Sequence, residues 1–157
     1  QILLNASLKI KADLDILLAG KGNLPAHKYP KVKHLGALPH EKLLEHLSKA
    51  HVLCNPTMLC KGFDTTTLEG MAAKCSLLVS RCENTEDVII DGINGFSFTQ
   101  GNANGLAEKL DFLYGHRELA AKMAEQGYQT YLEKFSAEKM AQKYDRLFKE
   151  RMEIEIK

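Results

Sequence analysis

Short apolar runs separated by amphipathic stretches organise the first hundred or so positions of this chain. The runs at 15–19, 32–35, 51–54 and 77–79 are continuous rather than alternating, as expected of strands covered on both faces. Between them the apolar positions take helical spacing. Leu3, Leu4, Leu8 and Ile10 predict a helix at the very start, with no capping residue before it. Leu43, Leu44 and Leu47 predict a second, opened by Pro39-His40-Glu41, and Leu68 through Ala73 a third. Thr85-Glu86-Asp87 begins a short helix that closes before Gly92. Beyond Phe98 the pattern is helical: Leu106, Leu110 and Leu113 share a face that ends near Gly115, and Leu119 and Met123 continue in a second helix. Met140, Tyr144, Leu147 and Phe148 then form an i, i+4, i+7, i+8 stripe in a third, which reads as core packing. Positions 146–157 are strongly charged, and their end is expected to fray. Strand–helix alternation predicts an α/β fold: a parallel, doubly wound sheet with right-handed crossovers and helices on both faces, followed by a helical C-terminal tail. Such a sheet would have about five or six strands and would bind ligands outside their carboxyl ends.

Composition narrows the function. At 157 residues and 45% hydrophobic content the whole chain, 1–157, is enough for one domain with one core, and it shows no linker, repeat or low-complexity tract. A net charge of +1 leaves no footprint for nucleic acid or an anionic membrane surface. No apolar run approaches the roughly 18 residues of a membrane span. Cys54, Cys60, Cys75 and Cys82 lack a C-x-x-C pair and do not resemble a zinc site; Cys54 and Cys75 are expected as buried thiols and Cys60 as an accessible one. The six histidines show no H-x-x-x-H or H-E-x-x-H pairing, so no metal site is expected. His40 could touch a nucleotide base, though polarity at a helix start explains it as well.

Chemistry concentrates between Asn55 and Ala73. The run 51–54 ends at Asn55-Pro56, where proline cannot donate to a ladder. A turn follows at Gly62, and Asp64-Thr65-Thr66 supplies capping side chains just ahead of the third helix. Strand, glycine loop and helix N-terminus together point free backbone N–H groups at an anion, which suits a phosphate or sugar diphosphate. The same shape also serves as an ordinary β–α turn. No G-x-G-x-x-G opens a helix after the run at 15–19, because Gly20-Lys21-Gly22 leads into Asn23-Leu24-Pro25; a dinucleotide fingerprint is absent.

The segment resembles the signature of the group 1 glycosyltransferases of GT-B architecture, in which two Glu separated by seven residues bracket a Gly-Phe-Gly turn. The second Glu corresponds to Glu69, in Leu-Glu-Gly-Met-Ala-Ala. Ala19-Gly20-Lys21-Gly22, His34-Leu35-Gly36-Ala37-Leu38, Asp91-Gly92-Ile93-Asn94-Gly95-Phe96 and Phe135-Ser136-Ala137-Glu138 agree with the family in order and spacing. The resemblance runs to about Phe148 and implies a Rossmann-like, nucleotide-sugar-binding C-terminal domain. It also implies that the first strand and the N-terminal acceptor domain are missing from this chain, and that the last helix crosses to that domain and leaves part of its stripe exposed here. Two departures fall where the chemistry is expected. Lys61 stands eight positions before Glu69, where the family has its first Glu, and Asp64 is the third member of Gly-Phe-Gly. Lys74 and Ser76 replace the family's usual Gly and Pro.

What the resemblance implies is the donor-binding domain of a retaining, metal-independent glycosyltransferase that uses a nucleotide-activated sugar. Glu69 would accept hydrogen bonds from the ribose diol. Gly62, Phe63, Asp64, Thr65 and Thr66 would offer backbone N–H groups to the diphosphate and sugar, Lys61 would face the sugar hydroxyls, and Gly36, Ala37 and Leu38 would lie against the base. No general base or nucleophile is identifiable, and the fragment alone is expected to be inactive. The partners expected are the donor and the missing N-terminal domain, with no cofactor, nucleic acid or transmembrane segment. The setting expected is a reducing cytoplasm, with membrane contact only through the missing part. The alternative, supported by Lys61, Asp64 and Lys74, is a non-catalytic module of the same fold that binds a nucleotide or a partner subunit.

Overall fold

A computed structural model of the chain describes residues 1–22, 25, 28–58 and 65–155. Continuous apolar runs become short parallel strands, and the amphipathic stretches between them become covering helices. The order is α1 (Ile2–Ser7), β1 (Ile16–Ala19), β2 (Val32–Gly36), α2 (His40–Leu47), β3 (Val52–Asn55), α3 (Thr65–Ala72), β4 (Ser76–Ser80), α4 (Glu83–Glu86), β5 (Phe96–Phe98), α5 (Ala103–Gly115), α6 (Arg117–Lys134) and α7 (Ala137–Glu155). β1 pairs with β2, Ile16 opposite Val32, and a second ladder runs β3-β4-β5, with Val52 opposite Ser76 and Leu78 opposite Phe96. All the described ladders are parallel, as the alternation of strands and helices predicts.

β4 is the centre, with every residue from Ser76 to Ser80 buried. Alternation along it divides the core. Leu77 and Val79 pack with Met71 of α3 and with Ile89, whereas Leu78 joins Phe96, Phe98 and Leu106. The latter cluster also takes in Ile16 of β1, Val32 of β2 and Leu3 and Leu4 of α1, so both ladders share one core. Gly70 lets α3 lie close on the sheet: a Cβ there would come within 2.8 Å of a Leu77 methyl and 3.1 Å of Leu53 Cβ.

Helix ends follow local chemistry. Asn102 caps α5 by accepting from the Gly105 N–H at 3.0 Å, and Ser136 caps α7 through the Lys139 N–H at 3.3 Å. The motif 91–96 is a scaffold. Asn94 is buried; its Oδ1 accepts from Ile90 N–H at 2.7 Å, and its Nδ2 donates to Val88 O at 3.0 Å and to Thr130 Oγ1 at 3.3 Å.

Three expectations need correction. Phe96–Phe98 is a strand that the pattern did not announce, because three residues are too few to show a period. α4 starts before Thr85 and is over by Glu86, because the Thr85 side chain turns back to accept from Cys82 N–H and reaches Ser80 O at 2.9 Å. The α7 stripe is not core: Met140, Tyr144, Leu147 and Phe148 are 53–62% exposed. That outcome matches the exposure implied by the family resemblance rather than the packing read from periodicity. Positions 156 and 157, where fraying was expected, lie outside the described residues.

Candidate functional site

Parallel pairing sets the carboxyl ends of β1 and β2 together in one ladder and those of β3 and β4 together in the other. The ends of β1 and β2 are locked together. Gly20 N–H donates to Gly36 O at 2.8 Å, and a His34 ring nitrogen, Nε2, lies 3.0 Å from Gly20 O. Gly36 takes φ +72°, a conformation that side chains disfavour, and it faces open space. The chain then turns through exposed Ala37 and half-buried Leu38 into α2, whose Pro39 carbonyl accepts from Leu43 N–H at 3.0 Å.

α3 supplies the other wall. Thr65 and Thr66 open it exposed, Thr67 is buried, and Glu69 stands on its second turn. The expectation of Glu69 near the start of this helix therefore holds to within one turn. Its side chain is 26% exposed, and one oxygen, Oε1, lies 3.7 Å from Nδ1 of His40, itself 64% exposed. At that separation no neutral hydrogen bond forms, and attraction requires a protonated imidazole. Sequence reasoning weighed His40 only for a base contact. The pairing depends on α2 lying beside α3, which no spacing in the chain reveals. Lys61, Gly62, Phe63 and Asp64, with Cys60, lie outside the described residues.

Other polar groups near the strand ends are engaged. Gln100 Nε2 donates to Thr57 O at 3.3 Å, and Arg81 donates to Ser97 Oγ at 3.2 Å, which in turn donates to Asp91. Burial pushes the Cys54 thiol up to about 12 and the Cys75 thiol up to about 11, so neither is a thiolate nucleophile at neutral pH. Both are free thiols; Cys75 is buried, as expected, and Cys54 is half-buried. Among the described residues no three His, Cys, Asp or Glu side chains converge to hold a metal, and no helix is long and apolar enough to cross a membrane. A cavity of about 440 Å³ lies elsewhere, between the end of α1 and the start of α5. Lys9 is its only ionisable lining group, and none of the predicted site residues touches it. We therefore place the candidate site at Gly36, Glu69 and the N-terminus of α3.

Residues 6–130 match the family described as glycosyl transferases group 1. The chain belongs to that family. An uncharacterized glycosyltransferase of Methanocaldococcus jannaschii is 27% identical over 150 residues, spanning 88% of this chain and 41% of the relative. The Campylobacter jejuni N,N'-diacetylbacillosaminyl-diphospho-undecaprenol alpha-1,3-N-acetylgalactosaminyltransferase is 28% identical over 149 residues, spanning 90% of this chain and 39% of the relative. Among solved structures, Anabaena HepE in complex with UDP superposes with a TM-score of 0.85 at 15% identity, over 95% of this chain and 44% of that one. At that identity the likeness shows the fold, which is the Rossmann-like domain of GT-B proteins. The group 1 chain thus spans about two fifths of the length of these curated relatives.

Proposed function

We propose that this group 1 domain binds the nucleotide-activated sugar of a retaining hexosyl transfer to an acceptor held by a further domain. The observation that carries the reading is Glu69: a partly exposed carboxylate on the second turn of α3, 3.7 Å from His40 at the start of α2, in the family's Leu-Glu motif. A carboxylate accepts two hydrogen bonds, the requirement of a ribose diol. Thr65 and Thr66 stand exposed at the helix N-terminus, where backbone N–H groups and the helix dipole favour a diphosphate without a metal ion. In this reading Gly36, Ala37 and Leu38 border the base, and Lys61, Gly62, Phe63 and Asp64 keep the roles that the motif implies. The domain's catalytic contribution is electrostatic: it stabilises the departing diphosphate. UDP in the HepE neighbour supports a nucleotide donor and makes UDP the natural probe.

Isothermal titration with UDP tests the proposal. Replacing Glu69 by Ala removes the diol's acceptor without touching the core, so affinity should fall by about 1–3 kcal/mol while the fold persists. A folded Glu69→Ala chain that binds UDP as tightly as the parent removes the ribose assignment. A parent chain that binds no nucleoside diphosphate removes the donor-binding reading itself.

A further inference from the structure

We propose that His40 is a positioning residue that, when protonated, holds the Glu69 carboxylate ready for the nucleotide, making donor affinity depend on pH. The inference rests on the reading of Glu69 as the ribose acceptor. His40 Nδ1 and Glu69 Oε1 are 3.7 Å apart, an ion-pair distance that has no value for a neutral imidazole. Only a protonated imidazole carries the charge that such a pair needs. The pair uses one oxygen of the carboxylate from one side, and an ionised carboxylate has about four lone-pair sites, so capacity remains for the diol. Fixing the carboxylate's rotamer before the ligand arrives reduces the ordering cost of binding.

The surrounding charges leave Glu69 as the partner that His40 faces across α2 and α3. α3 carries no ionisable side chain except Glu69. On α2, Lys42 is held by Glu45 at 2.9 Å, and Glu41 follows His40 in the first turn. His46 lies in the last turn of α2, at the far end of the helix. On β2, Lys33 is held by Asp15 at 2.7 Å, while His34 meets Gly20 O. His40 opens α2, where the helix dipole disfavours a cation, so Glu41 and Glu69 are the groups that offset it.

The test is a double-mutant cycle on UDP affinity with His40→Ala and Glu69→Gln, run at about pH 5.5 and about pH 8, across the range in which histidines serve as pH switches. Comparison within each pH cancels the titration of UDP itself. An exposed pair limits the effect, so His40→Ala should weaken binding about two- to fivefold at the acid pH and leave it unchanged at the alkaline one. In the Glu69→Gln background His40→Ala should have no effect at either pH. His40→Gln, which keeps polarity but cannot charge, should behave as His40→Ala does. Persistence of the effect without the Glu69 charge would mean that His40 meets the ligand directly, and equal affinities at both pH values would mean that it has no role; either overturns the inference. Unchanged affinity in Glu69→Ala would instead overturn the underlying reading. Melting temperatures of the His40 variants should match the parent, since the ring is mostly exposed.

Discussion

Asn94→Ala should be among the most damaging single changes outside the apolar core. The side chain is 1% exposed and joins three places: Ile90 N–H, Val88 O, and Thr130 Oγ1 on α6. Alanine takes from Ile90 N–H and Val88 O their side-chain partner in a part-buried site, at about 1–2 kcal/mol for each. Thr130 keeps its bond to Gln126 O, so its share of the loss is small. We expect a total of about 2–4 kcal/mol, against a domain stability of about 5–15 kcal/mol. For a chain of this size that lowers the melting temperature by roughly 6–12 °C. Urea unfolding at neutral pH measures it directly. Asn94→Asp sharpens the test, because it keeps the acceptor for Ile90 N–H but gives up both donations and buries a carboxylate. Burial raises that carboxyl's folded pKa above its unfolded value of about 3.9, so the variant's deficit should grow as pH rises and shrink toward about pH 4. A cost below 1 kcal/mol for Asn94→Ala would refute the account of the motif as a buried scaffold.

Three further changes probe how the family frame is built. Gly70→Ala, which restores the family's Leu-Glu-Ala, crowds Leu53 and Leu77 at about 1–3 kcal/mol while gaining about 1 kcal/mol of helix propensity. The net should lie between neutral and about 2 kcal/mol destabilising by urea unfolding, and a clear stabilisation would refute the close approach. Lys74 is the only non-glycine among the described residues with positive φ, at 56°. Lys74→Gly should therefore melt about 2–4 °C above Lys74→Ala, the reverse of their helix ranking, and equal melting would deny the left-handed strain. Among the described residues Ser76 Oγ is buried without a partner, so Ser76→Ala should stabilise by about 1 kcal/mol in the same assay; a loss of stability would mean the hydroxyl has a role.

The sheet was legible because strands covered on both faces write themselves as continuous apolar runs, which 15–19, 32–35, 51–54 and 77–79 do. Helices α2, α5 and α6 were legible from apolar spacing. β5 was not, because Phe96-Ser97-Phe98 becomes a strand through pairing with β4 rather than through any pattern of its own. Periodicity established that α7 has an apolar face, but a period cannot state what covers that face. The motif pointed to Glu69 through a resemblance. Its neighbour His40 comes from α2 and meets it only once the fold sets α2 beside α3.

The departures from the family pattern are not equivalent, and the structure separates them. Lys74 stands where the family usually has Gly, and a glycine is what its backbone conformation asks for. Yet Lys74 Nζ meets Glu125 at 2.8 Å and sits 4.4 Å from the Tyr128 ring centroid, tying the end of α3 to α6. Hydrogen bonding to this lysine and to Gln129 holds the Glu125 carboxyl below its ordinary range. Lys74 is thus accounted for by contacts between helices, away from Glu69 and the strand ends, and gives no support to a degenerate site. That argument now rests on Lys61 and Asp64 alone, against a retained Glu69 and a retained Gly36 turn. An ammonium at position 61 repels no diphosphate, whereas an aspartate at a helix N-terminus competes with one for the same N–H groups. On the donor-binding reading, Asp64 alone among the substitutions that the alternative invokes would oppose the ligand on physical grounds.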